Sequence, residues 1–208
     1  MKTRVISIND ASAAKIHATL QKGNIIAYPT DTIYGLGADI FNVEAVKKLF
    51  GTKNRDYSKP VSLLYFSRDK VLQDFAHLSE YEKQFIAEFF PGAVTLVLRA
   101  KSEQQFPYPF TKKGKVGIRV IDHPKLNALF ENYPNPITTT SINPAGAKPA
   151  ESPAEILEYF PHHLSYIIDD GCTTNRIPST VISLEPSGYS ILREAAISKK
   201  EIQNRINK

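Results

Sequence analysis

The sequence predicts an α/β fold, a single domain over residues 1–208 built on a twisted, open, mixed sheet with flanking helices. Three observations carry this. Apolar runs of strand length recur along the whole chain and alternate with segments of helical period. Helices separate some strands, whereas short turns such as Pro186-Ser187-Gly188 join others, so the sheet mixes parallel and antiparallel pairs. A length of 208 residues suits one domain with a sizeable core.

The elements follow in order. Residues 5–8 alternate as a short strand, Asn9 and Asp10 offer a helix N-cap, and the Ala-rich stretch to Lys22 reads as a helix stopped by Gly23. Residues 24–28 form a buried strand ended by Pro29, and 30–37 form a polar, glycine-containing site loop. Residues 43–50 are a helix (Val43, Val46, Leu49, Phe50) closed by Gly51, with the cationic Lys53-Asn54-Arg55 directly after it. A strand at 61–66 precedes helices at 69–75 and 79–90, and Pro91-Gly92 separates these from a strand at 94–98. Residues 102–114 are polar and lysine-flanked and are expected to form an exposed loop, the least ordered part of the chain. Beyond it lie a strand at 116–121, a helix at 124–131, a strand at 136–140, a loop at 141–150 and a helix opened by Ser152-Pro153. Strands at 166–169, 180–184 and 189–192 and a charged helix at 198–207 complete the chain.

Composition narrows the function. Hydrophobic residues make up 42% and charged residues 23%, values of an ordinary globular chain. No signal-peptide pattern opens the sequence, and no apolar run approaches the length of a membrane span. One cysteine, Cys172, permits no intrachain disulfide, and a cytoplasmic location is the expectation. A net charge of +5 favours anionic partners: nucleotide phosphates, an RNA backbone, or none in particular. The glycines provide neither a P-loop nor a dinucleotide fingerprint, and no G-x-S-x-G elbow exists. His162-His163 lacks ligands at metal spacing, so no protein-bound metal is expected.

Small hydroxyl residues and isolated cations cluster at predicted strand ends, where open α/β sheets bind ligands. Thr30, Thr32, residues 138–141 and Ser179-Thr180 are so placed, and hydroxyls with guanidinium groups are the ingredients of an anion site. Taken alone, the same hydroxyls are equally caps and turns, Lys53 and Arg55 equally a solvated pair, and Arg119 equally one half of an internal salt bridge.

The succession YPTDTIYGLG (28–37), Lys53-Asn54-Arg55, FPGAVTLVL (90–98), GIRVIDHP (117–124), TTTSINPAG (138–146), STVISL (179–184) and ILRE (191–194) resembles the YrdC/TsaC family over nearly the whole chain. The resemblance implies a YrdC-like sheet and an L-threonylcarbamoyladenylate synthase, a nucleotidyltransferase that makes threonylcarbamoyl-AMP from L-threonine, bicarbonate and ATP for tRNA N6-threonylcarbamoyladenosine. It implies Lys53 and Arg55 as catalytic residues that also bind ATP, with Ser141, Asn143 and Arg193 on the nucleotide and Thr32, Tyr34, Arg119, Ser179 and Thr180 on the small substrate. Mg2+ is expected on the triphosphate, and the expected consumer of the product is the tRNA threonylcarbamoyl-transfer machinery. The chain departs from the family pattern at Asp56, at Leu64 where a histidine is usual, at Ile142, at 176–178 and at Glu194. An RNA-binding member or a paralogue acting on another substrate is the alternative.

Overall fold

The computed structural model describes residues 2–102, 105–107, 109–144, 146–173 and 176–206. Among these residues, ten strands form one mixed sheet: β1 (Arg4–Ser7), β2 (Ile26–Tyr28), β3 (Gly35–Gly37), β4 (Ser62–Tyr65), β5 (Val94–Arg99), β6 (Lys115–Val120), β7 (Ile137–Ser141), β8 (Tyr166–Asp169), β9 (Thr180–Glu185) and β10 (Gly188–Arg193). Their order is β1-β8-β2-β3-β7-β4-β6-β5-β9-β10. The pairs β1/β8, β8/β2, β4/β6 and β5/β9 are parallel and the others antiparallel, as the mixture of helical crossovers and short turns predicts.

Among the described residues, seven α-helices flank the sheet: α1 (Ala13–Gln21), α2 (Val43–Lys53), α3 (Arg68–Asp74), α4 (Glu80–Phe89), α5 (Pro124–Phe130), α6 (Pro153–Tyr159) and α7 (Lys199–Ile206). Registered strand partners share a face, so the pairing divides the side chains into two sets. Ala27 with Leu36, Leu63 with Ile118 and Leu96, and Tyr65 with Val120 point to the larger core, under α2, α3, α4, α6 and α7. Ile26, Tyr28, Leu64, Ile137 and Ile168 point the other way, under α1 and α5. Five helices therefore cover the first face and two cover only part of the second.

Several boundaries differ from the sequence expectation for local reasons. Residues 8–10 form a 3-10 turn capped by the Ser7 hydroxyl, so α1 starts at Ala13 and Asn9 and Asp10 do not cap it. Gly23 does end α1, at φ +75°. Gly51, in contrast, lies inside α2, and the left-handed residue that ends this helix is Asn54, at φ 47°. The Gly-Leu-Gly of the predicted site loop is strand β3. The predicted exposed loop at 102–114 buries Phe106 and Phe110 in the larger core, and its residues 103, 104 and 108 lie outside the described residues. So do residue 145 of the 141–150 loop and residue 207 of the terminal helix. Among the described residues, no helix is long and apolar enough to cross a membrane.

Candidate active site

Beyond α1 and α5, the second face of the sheet is bare, and its side chains change character there. Register places Gly35 opposite Ser141, Ser62 opposite Thr139, Val97 opposite Gly117 and Thr95 opposite Val181. These glycines and hydroxyls lie on the face that Tyr28, Leu64 and Ile137 occupy further along. A cavity of about 320 Å³ opens on this stretch, lined by Ser62, Thr95, Thr139, Ser141 and Ser179 and by three arginines, Arg55, Arg119 and Arg193. Gly35 leaves room for a ring, since a Cβ on it would sit 2.7 Å from the buried Tyr28 ring; one on Gly117 would sit 2.5 Å from the Ser62 hydroxyl, which can turn.

Each arginine is held by a different element. Arg55 follows α2, and its guanidinium donates to the carbonyls of Lys59 (3.0 Å) and Pro60 (3.0 Å), which fixes it on the 55–60 turn. Arg193 ends β10 and donates to Ser179 O through Nε (3.3 Å) and NH2 (2.8 Å). Arg119 stands in β6, 5% exposed, and pairs with the Asp31 carboxylate while donating to Thr32 Oγ1 at 2.6 Å. Its Nε is buried without a partner among the described residues. Burial lowers the pKa of all three guanidiniums below the usual arginine value, the sign of cations removed from water without enough counter-charge.

The remaining expected site residues divide into cavity and support. Ser141, Ser179 and Tyr34 line the cavity. The Tyr34 hydroxyl, however, donates to Gly171 O at 2.7 Å, and burial raises its pKa to about 12, so it stays protonated and ties the loop to the end of β8. Ser179 Oγ bonds Thr95 Oγ1 at 2.9 Å. Lys53 and Asn143 lie behind the lining: the Lys53 ammonium, 3% exposed, donates to Ser141 O and to Asn143 Oδ1 (3.3 Å), and Ser141 Oγ donates to the same Oδ1 at 2.6 Å. Burial, with the Arg55 charge second, pulls the Lys53 pKa down to about 8. Thr32 also lies behind the lining, against Arg119. Thr180 Oγ1 donates to Ile197 O (2.7 Å) and accepts from the amides of Ala195 and Ile197, tying the segment after β10 to β9.

Two departures from the expected pattern find their places. Leu64 is fully buried in the smaller core, beside Ile137. Glu194 accepts from the Lys199 amide at 2.8 Å, so its carboxylate serves the start of α7 instead of facing Arg193 across the cavity. Thr139, within the hydroxyl run 138–141, does line the cavity, whereas sequence reasoning missed Ser62, Thr95 and Asp31. Asp31 stands within the quoted YPTDT run, and a carboxylate beside a predicted buried arginine was the available signal; the other two become site residues only through strand register. His162 and His163 are exposed.

A bare half-face carrying three guanidiniums, that of Arg119 buried and those of Arg55 and Arg193 open to the cavity, beside a row of hydroxyls defines an α/β protein with a cavity suited to a small polyanion. A profile of the Sua5/YciO/YrdC family, described as telomere recombination, matches residues 18–195, and the chain belongs to that family. It is 33% identical to a threonylcarbamoyl-AMP synthase of Bacillus subtilis over 97% of this chain, yet it spans only 58% of that relative's length. A putative threonylcarbamoyl-AMP synthase of Methanocaldococcus jannaschii is 30% identical, with 95% of each chain covered. The crystal structure of P. abyssi Sua5 complexed with L-threonine superposes with a TM-score of 0.85 at 28% identity, over 99% of this chain and 59% of that one.

Proposed function

We propose that this chain forms threonylcarbamoyl-AMP and pyrophosphate from L-threonine, bicarbonate and ATP. The observation that carries the reading is the convergence of Arg55, Arg119 and Arg193 on one hydroxyl-lined cavity, in a chain similar to synthases of that name. Arg119, with its unpartnered Nε–H, receives the threonine carboxylate, and the hydroxyls of Ser179 and Thr95 line the same end. Arg55 and Arg193 receive the phosphates. Lys53, Ser141 and Asn143 form the wall behind them and add positive potential.

In this reading the carbamate oxygen of N-carboxythreonine attacks the α-phosphorus and pyrophosphate leaves. The protein contributes position and charge, since negative charge grows on the departing group where the guanidiniums stand. Among the described residues no carboxylate lines the cavity, and in this reading Mg2+ rides on the triphosphate oxygens as part of the substrate. Transfer to tRNA by a separate machinery, in the cytoplasm, completes the proposal. Pyrophosphate release is the test: it is expected only when threonine, bicarbonate and ATP are all present, and equal release without threonine would sink the assigned substrate.

A further inference from the structure

The proposed reaction starts from an ammonium, and an ammonium is no nucleophile until it loses a proton. The lining of the cavity holds three arginines and no carboxylate among the described residues. Lys53 adds a fourth cation behind Ser141. The carboxylate paired with Arg119, Asp31, has both oxygens engaged, one on Arg119 and the other accepting from the Asp122 amide at 3.3 Å, and it is not in the lining. The other charged groups around the site face elsewhere. Arg176 donates to Thr30 O at 2.9 Å, Glu194 serves the start of α7, and Asp170 pairs with His123 (3.2 Å) and Lys125 (3.5 Å).

We propose that this cavity accepts its amino acid as the free amine, its cations expelling the ammonium proton to solvent, so that N-carboxylation proceeds without a protein base. The inference rests on the activity proposed above. Its physical basis is that like charges at close range in a partly desolvated site disfavour the charged form of the newcomer, while the substrate carboxylate is drawn in by the same field. The pKa values of all four protein cations are lowered, in each case first by burial, with the Arg55 charge a second cause at Lys53.

The step balances simply. The ammonium gives one proton to bulk water or buffer; the amine lone pair then attacks the bicarbonate carbon, a C–N bond forms, and water departs with one oxygen of bicarbonate and two protons. The product carries two anionic groups, the carboxylate for Arg119 and the carbamate for the cations opposite. The cavity therefore favours the N-carboxylated dianion over the zwitterion from which it came.

Calorimetric titration of the protein with L-threonine alone tests this. Repeated at pH 7 in buffers of different ionisation enthalpy, binding is expected to release close to one proton. Affinity is expected to rise about thirtyfold from pH 6 to pH 7.5, since each pH unit below the amine's own pKa brings tenfold more free amine. Lys53 stays mostly charged over that interval, because burial lowers its pKa only to about 8. Thr139→Asp, which sets a carboxylate in the lining, is expected to abolish the proton release. Flat affinity with no proton release overturns the inference, as does an absence of binding at pH 7.5; both are read on the unaltered protein, so a poorly folded variant leaves the test intact. If pyrophosphate release is threonine-dependent while binding is flat, only this inference falls. If release needs no threonine, the activity itself falls.

Discussion

The two halves of the sheet's second face share strands, register and backbone geometry, yet one half is core and the other is site. Under α1 and α5 the outward positions carry Ile26, Tyr28, Leu64, Ile137 and Ile168; two residues further along the same strands they carry Ser62 and Thr139, with Gly35 and Gly117 on neighbouring strands. The boundary is sharp: Leu64 and Arg119 are registered partners, one packed in the core and the other in the cavity wall. Covering a sheet face requires large apolar side chains, whereas admitting an anion requires small side chains, hydroxyls and fixed cations. The site is the part of the sheet that the sequence leaves without a helix.

The largest expected effect comes from the bare half. Arg55→Ala removes a guanidinium from the cavity without opening the core, and pyrophosphate release is expected to fall about 100- to 1000-fold, the range seen when one fixed donor to developing charge is deleted. Thermal unfolding should barely change, and a large drop in melting temperature with activity intact would reverse the roles given to the two halves.

Leu20→Ala probes the covered half. Leu20 stands on α1 and is fully buried in the smaller core, so its truncation is expected to destabilise the fold by about 2–5 kcal/mol in chemical denaturation. Turnover per folded molecule should not move. A change in KM for threonine or ATP would mean that the two halves are not energetically separate.

A third test uses pH. Lys53 has a pKa lowered to about 8 in the free protein, and an anion bound beside it favours the protonated form. Binding of ATP therefore takes up a proton above pH 8, and affinity is lost as the ammonium deprotonates. Between pH 7 and pH 9 the ATP dissociation constant is expected to rise about tenfold, and Lys53→Arg should flatten that rise. A constant value in the unaltered protein would remove Lys53 from the electrostatics of the site.

Elements with a strong apolar signal were legible in the sequence: the strands near 94–98, 166–169 and 180–184 and the helices near 79–90 and 124–131 differ from the structure only at their ends. Elements without that signal were less so. Strand β3 is Gly-Leu-Gly, which has weak strand preference by itself and pairs because the Tyr28 ring fills the space its side chains leave free. Gly51 looked like a helix stop, but the left-handed conformation falls on Asn54, since tertiary contacts and not propensity place the end of α2. Phe106 and Phe110 sit in a polar stretch whose composition masks their burial. For the site, the cations and terminal hydroxyls could be named one by one through family resemblance. Ser62 and Thr95 could not, because they join the other site residues only through the pairing of β4, β5, β7 and β9, and pairing order is absent from any local pattern.

The smallest expected effect bears on why the bare half stays bare. Gly117 lies in the middle of β6, where a residue with a side chain would make the better strand, so its cost to the sheet must be offset by something else. The added Cβ of Gly117→Ala would approach Ser62 Oγ to 2.5 Å and Ser62 Cβ to 3.2 Å, forcing the Ser62 hydroxyl to turn into the cavity. The fold tolerates a turned serine, but the ligand loses the space. A several-fold weaker affinity for the small substrate is expected, of the size associated with about 1 kcal/mol of overpacking. Pairing the change with Ser62→Ala removes the hydroxyl and should restore most of the loss, a coupling that a double-mutant cycle reads directly. Additive losses would mean that Gly117 serves the backbone of β6 and not the cavity, and the bare half would then owe its openness to the missing helix alone.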